Sequence, residues 1–136
     1  MTNKELIRKA LEAQKMAYVP YSEFPVGAAV LTSTGKVFTG CNIENASFGA
    51  TNCAERTALF KAISEGEKDF KTIAIVGDPE AFTAPCGICR QVLVEFGLDI
   101  TVILAKSEEE YQTYTMEEIL PLSFTPKDLE NKGGTV

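Results

Sequence analysis

Apolar residues along this chain recur at helical spacing, then in unbroken runs, then at helical spacing again. Over Thr2 to Tyr18, Leu6, Ala10, Leu11, Ala13 and Ala17 form one stripe with the charges elsewhere, the pattern of an outer helix lying on a sheet. Thr2 and Glu5 have the spacing of a capping box at its start, and Pro20 closes it. Val26 to Leu31 is a continuous apolar run, which fits a strand buried on both faces. Ser33-Thr34-Gly35 is a turn signal and Lys36 to Gly40 alternates, so the two runs read as a β-hairpin. Asn42 to Asn52 is small and polar, the composition of a loop, and loops between rigid elements are where substrate contacts collect.

Helical spacing returns at Cys53 to Glu65, with Ala54, Thr57, Ala58, Phe60, Lys61 and Ile63 as the apolar side and Gly66 as a C-terminal stop. Thr72 to Gly77 reads as a buried strand and Asp78 to Pro85 as a loop. Cys86 to Phe96 reads as a third helix ended by Gly97, and Thr101 to Ala105 as another buried strand. Tyr111 to Tyr114 fits a short edge strand. Thr115 and Glu118 frame a capping box for a short helix through Leu120, which Pro121 stops. Thr125-Pro126 opens a last helical turn, and Asn131 to Val136 reads as a loose tail. Strand–helix–strand units imply parallel pairs, and the hairpin adds an antiparallel one. The expected fold is α/β, a three-layer α/β/α sandwich around a mixed sheet of about five strands.

Composition narrows the function. A chain of 136 residues with 45% hydrophobic content is expected to form one domain, residues 1–136, with a full core and no disulfide staples. There is no histidine, so acid–base work falls to carboxylates, Tyr, Cys or Lys. A net charge of −6 opposes a nucleic-acid partner, whose binding rests on neutralising phosphates, and suits a small neutral substrate. The polar start Met1 to Glu5 lacks a signal-peptide pattern, and the longest apolar runs fall far short of a membrane span. The expectation is a cytoplasmic protein with no membrane partner and reduced thiols, which favours metal binding over disulfides.

Three of the cysteines define the chemistry. Cys86 and Cys89 have the commonest chelating spacing for zinc thiolates, and Cys53 offers a third sulfur. Three protein ligands leave a fourth position for water, the arrangement of a catalytic zinc site. Glu55 lies two residues after Cys53. Residues so spaced cannot share a face in mid-helix, but they can converge on a point off the first turn. Both cysteine motifs are therefore placed at helix N-termini, where free N–H groups and the helix dipole favour thiolate. A carboxylate beside a metal site, not itself a ligand, is suited to hydrolytic proton transfer. Two other readings stay open at this point. Cys86 and Cys89 could form a thiol redox pair, or Cys41 could close a structural four-sulfur site. Cys41 is otherwise read as a small buried core residue.

Four segments together resemble one family. They are Pro20-Tyr21-Ser22-Glu23-Phe24-Pro25-Val26-Gly27-Ala28-Ala29-Val30, Gly40-Cys41-Asn42-Ile43-Glu44-Asn45-Ala46, Cys53-Ala54-Glu55-Arg56-Thr57-Ala58 and Pro85-Cys86-Gly87-Ile88-Cys89-Arg90-Gln91. In order and spacing they resemble the short, homotetrameric cytidine deaminases, the three-cysteine form of the zinc deaminases. A ligand-x-Glu followed by Pro-Cys-x-x-Cys is the known signature of that class. The resemblance implies Zn²⁺ on Cys53, Cys86 and Cys89, with Glu55 as proton shuttle while water adds to C4 of cytosine. It implies a nucleoside substrate, with Phe24 packing on the base, Asn42 and Glu44 on ribose hydroxyls, and backbone near Ala54 orienting the amine. Phe124 matches the position from which a neighbouring subunit stacks an aromatic on the base. Phe48 stands where similar proteins often have tyrosine. Cytosine-bearing antibiotic nucleosides such as blasticidin S are an alternative substrate class. Arg56 has an electrostatic role open to it. Three thiolates over-neutralise a dication, and a guanidinium bonded to the sulfurs would withdraw charge and restore the acidity of a bound water.

Overall fold

The Thr2 hydroxyl accepts the Glu5 N–H at 3.1 Å, and the Glu5 carboxylate accepts the Thr2 N–H at 2.9 Å. This reciprocal cap starts α1, Asn3–Gln14, in the computed structural model, which describes residues 1–130. Asn131 to Val136, read from sequence as a tail, lies outside the described residues. The helix ends earlier than the expected Tyr18 because that residue's backbone is used elsewhere. Tyr18 N–H donates to the Asn42 carbonyl at 3.0 Å, and the Tyr18 carbonyl accepts from Glu44 N–H at 2.8 Å. The buried stripe is Leu6, Ile7 and Ala10, so Ile7 replaces Ala13 and Ala17.

The strands are β1 Gly27–Thr32, β2 Val37–Cys41, β3 Phe70–Val76, β4 Thr101–Ala105 and β5 Tyr111–Thr115. Between them lie α2 Ala54–Ser64 and α3 Gly87–Val94, and α4 Met116–Ile119 follows β5. Single 3₁₀ turns occur at Phe48–Ala50 and Pro126–Leu129. The sheet is mixed, in the order β2-β1-β3-β4-β5. Only β3 and β4 pair in parallel. The unit β3-α3-β4 is thus the parallel crossover that the sequence implies. The unit β2-α2-β3 is not a neighbouring pair, because β1 lies between its two strands and is antiparallel to both.

Alternation along β1 builds the layers. Ala29 and Leu31 face α1, in a cluster with Leu6, Ile7, Ala10, Ala74, Val76, Ile103 and Ala105. Ala28 and Val30 face α2, α3 and α4, in a larger cluster that includes Leu59, Ile73, Ile75, Leu93, Val102 and Met116. This is the three-layer α/β/α arrangement expected. The face of α2 differs from expectation. Its buried residues are Ala54, Glu55, Ala58, Leu59 and Ala62, while Phe60 is exposed. Gly40 explains the phase. A Cβ there would come within 2.5 Å of the Ala58 nitrogen and 2.8 Å of the Ala54 carbonyl oxygen, so the first turns of α2 rest directly on β2. Gly66, at φ 98°, ends α2 as the sequence indicates, with Gly66 N–H on Ile63 and Glu67 N–H on Ala62.

Candidate metal centre and active site

Cys53 is the N-cap of α2 and Cys86 the N-cap of α3, with Cys89 in the first turn of α3. Helix geometry thus delivers all three sulfurs from helix starts, as the spacing predicts. Their Sγ atoms lie within 4.8 Å of one another, and Cys53 and Cys86 are 3.8 Å apart. Two sulfurs on a tetrahedral ion, at bonds of about 2.3 Å, would stand about 3.8 Å apart. The donor set therefore fits zinc. Cys41 is not in the group. It is half-buried at the end of edge strand β2, not a core residue, and burial pushes its thiol up.

Cys53 and Cys89 are shifted in opposite directions. The Cys53 thiol is drawn down to about 5, first by the hydrogen bond from Cys89 and then by Arg56 and Cys86, against the effect of burial. The Cys89 thiol is pushed up, first by that same bond to Cys53, then by burial and the charge of Glu55. Protein groups alone thus favour one thiolate and oppose a second, and a dication relieves that opposition. Arg56 Nη2 donates to Cys53 Sγ at 3.3 Å, the contact through which a guanidinium can withdraw charge from a thiolate. Arg56 Nε is buried with no hydrogen-bond partner among the described residues.

Glu55 is 5% exposed, in the first turn of α2. Its carboxyl is pushed up to about 7, first by burial and further by the Cys53 thiolate. A carboxyl poised near neutrality can both take and return a proton.

Residues 1–105 match the family described as "Cytidine and deoxycytidylate deaminase zinc-binding region". The chain belongs to this deaminase family. A cytidine deaminase of Halalkalibacterium halodurans is 50% identical, over 96% of this chain and 100% of its own length. One from Sporosarcina psychrophila is 46% identical, over 95% of this chain and 96% of its own. A crystal structure of cytidine deaminase from Burkholderia pseudomallei superposes with a TM-score of 0.87 at 47% identity, covering 91% of this chain and 100% of that one. Membership makes this chain a zinc-dependent enzyme of the deaminase class.

Of the residues expected to contact substrate in this deaminase, Phe24, Asn42 and Glu44 form a second group around residues 21–26. Asn42 Oδ1 accepts the Val26 N–H and Asn42 Nδ2 donates to the Phe24 carbonyl, each at 2.9 Å. Glu44 accepts the Tyr21 and Ser22 N–H groups at 2.9 and 3.1 Å, and the Ser22 hydroxyl as well. That hydroxyl, ahead of the backbone donors, holds the Glu44 carboxyl below its usual range. Glu44 also lines a cavity of about 420 Å³ with Tyr21, Ser22, Phe48 and Thr51. Phe48 packs edge-on against Tyr21, with ring centroids 5.7 Å apart.

The two groups are joined by residues not predicted as site residues, of which Ile43 and Thr57 lie inside the quoted segments and Asn52 and Gln14 outside them. Ile43 and Asn52 exchange backbone hydrogen bonds at 2.9 Å, fixing the Asn42–Glu44 loop to the residue before Cys53. Asn52 Nδ2 donates to Thr57 Oγ1 at 2.9 Å, and Thr57 Oγ1 donates to the Cys53 carbonyl at 3.1 Å. Gln14 holds the Pro25 and Gly77 carbonyls, at 3.0 and 2.8 Å. No motif marks Asn52 or Gln14. Ala54 is fully buried behind Cys53. Phe124 lies on the strap after α4, with its ring 60% exposed. It shares a cavity with Glu95, at the C-cap of α3, whereas Cys86 caps the other end of that helix.

Proposed function

We propose that this chain, acting as one domain over residues 1–136, hydrolyses cytidine and 2′-deoxycytidine to uridine and 2′-deoxyuridine with release of ammonia. The observation that carries the reading is a buried carboxyl, Glu55, beside three sulfurs spaced for one ion. Cys53, Cys86 and Cys89 hold the zinc. When bound, zinc supplies Lewis acidity that makes water a usable nucleophile near neutral pH. Glu55 takes a proton from the water as its oxygen adds to C4 of the ring. It gives that proton to N3, then carries one to the departing amine, so one water enters and one ammonia leaves. Ala54 presents backbone to the amine. Phe24 packs on the base, and Glu44 and Asn42 receive the ribose hydroxyls. Their bonds to residues 21–26 set this loop before substrate arrives. Arg56 draws charge from the Cys53 sulfur.

A homotetramer completes the site in this reading, with Phe124 supplied by a neighbouring copy. Its support is the exposure of Leu122 and Phe124 in the single chain, at 105% and 60%. No helix of the described residues is long and apolar enough to cross a membrane. Cytoplasmic pyrimidine salvage is the setting this chemistry fits. No phosphate cradle appears in the motifs and the net charge is −6, so free nucleoside is favoured over nucleotide.

An ultraviolet assay of cytidine loss, with zinc measured on the same sample, tests the reading. A panel adding 2′-deoxycytidine and a cytosine-bearing antibiotic nucleoside separates the substrate classes. Glu55→Gln is expected to keep zinc and lose at least about 10²–10⁴ in kcat. Zinc-loaded Glu55→Gln with unchanged kcat would sink the proton-shuttle role.

A further inference from the structure

The core ends at α4. Ile119 and Leu120 still pack against it, but Leu122 stands fully exposed at φ 55° and the Phe124 ring is 60% exposed. Among the described residues the ring is thus left largely open. Among the described residues, one hydrogen bond ties 121–130 to the rest of the chain. Gln91 Nε2 donates to the Phe124 carbonyl at 2.9 Å. Gln91 lies on α3, two residues beyond Cys89. Its neighbour Arg90 anchors the start of the same strap. Arg90 Nε donates to the Pro85 carbonyl at 2.8 Å and Nη1 to the Ile119 carbonyl at 2.7 Å. One helix thus carries two sulfur donors at its start and the tether of the aromatic in its middle.

We propose that Gln91 is a positioning residue, whose amide fixes the Phe124 backbone and so sets the pose in which that ring meets a cytosine base. The proposal rests on the reading of Phe124 as the base-packing aromatic. A tethered ring is ordered before substrate binds. A free one must be ordered by the substrate, which weakens binding and leaves the chemical step alone. Gln91 is exposed, so its bond adds little to folding, and its loss is read in substrate affinity.

The test is a double-mutant cycle on the zinc-loaded full chain, with Gln91→Met and Gln91→Glu, which keep length and lose the donor, each in wild-type and Phe124→Ala backgrounds. Zinc per chain and thermal melting are recorded for all. Each Gln91 variant is expected to raise KM for cytidine about two- to tenfold, the equivalent of one neutral hydrogen bond, with kcat and zinc content kept. In the Phe124→Ala background the same changes are expected to leave KM unmoved. An equal rise in both backgrounds would show that Gln91 acts elsewhere, and an unchanged KM in both Gln91 variants would also overturn the proposal. If Phe124→Ala alone leaves KM unchanged, the reading of Phe124 fails instead, whatever Gln91 does.

Discussion

At the scale of single residues, the site works by placing charge where burial opposes it. Glu55 shows the sign. Its ordinary value is 4.5 and the fold holds it near 7. Below about pH 4.5 the folded and unfolded chains both carry the proton, and Glu55 subtracts nothing from stability. Between 4.5 and 7 the unfolded chain ionises first, so stability falls as pH rises, and above 7 the loss is complete at about 3 kcal/mol. Glu55→Gln, stripped of zinc by chelator so that the ion's charge does not enter, should therefore melt higher than the stripped wild type at pH 8. The gap should close towards pH 4, and no gap at pH 8 would refute this account of burial. Arg56 carries the opposite charge, with Nη2 3.3 Å from the Cys53 sulfur. In the proposed role, its loss would leave more charge on the sulfurs and make a bound water less acidic. Arg56→Ala is predicted to move the rising limb of the pH–rate profile upward and to lower activity about 10–100-fold, with partial recovery in Arg56→Lys. An unshifted profile would leave the guanidinium with a packing role only.

At the scale of elements, two helix starts and one close contact build the site. The contact is Gly40 under α2, where an added Cβ would fall 2.5 Å from the Ala58 nitrogen. Backbone cannot yield as a side chain can, so Gly40→Ala must lift the helix whose N-cap is Cys53. It is predicted to cost about 1–3 kcal/mol and to speed loss of zinc to a chelator. Gly49→Ala, with nothing within 4 Å of its Cβ, is the neutral control. Equal melting and equal zinc release in the two variants would refute the contact's role. This contact also shows where sequence legibility stops. The caps at Thr2 and Thr115, the stop at Gly66 and the sulfur-bearing helix starts are local patterns, and each appears where its residues place it. The buried face of α2 is not local. Leu59 and Phe60 are equally apolar, and it is the seat on Gly40 that turns Leu59 inward. The position of β1 between β2 and β3 is likewise a choice among pairings that no single strand records. At the site, residue type marks Asn42 only as a loop polar group and the resemblance offers it as a ribose contact, but neither shows that both ends of its amide already hold backbone at Phe24 and Val26.

At the scale of the whole molecule, the strap that carries Phe124 runs exposed beside α3. Cys86 caps one end, and Phe124 shares a cavity with Glu95 at the other. The Phe124 carbonyl is tethered to Gln91 in the middle of that helix, and its ring stays 60% exposed in the single chain. Leu122 reinforces the point. A leucine held at φ 55° is strained by about 1–2 kcal/mol, and its side chain is fully exposed in the single chain. Both costs become intelligible if another copy covers the strap. Mixing tests this directly. In the proposed reading, Glu55→Gln chains lack the proton shuttle but have a sound Phe124, and Phe124→Ala chains have the shuttle but not the ring. Co-expressed in one oligomer, the Phe124→Ala chain can borrow a ring from its neighbour, so a fraction of sites with wild-type KM should reappear. The same two proteins purified apart and mixed without exchange of chains should show only the sum of their activities. If co-expression gives no more than that sum while mass measurement confirms mixed oligomers, each ring serves its own chain and the shared site is wrong.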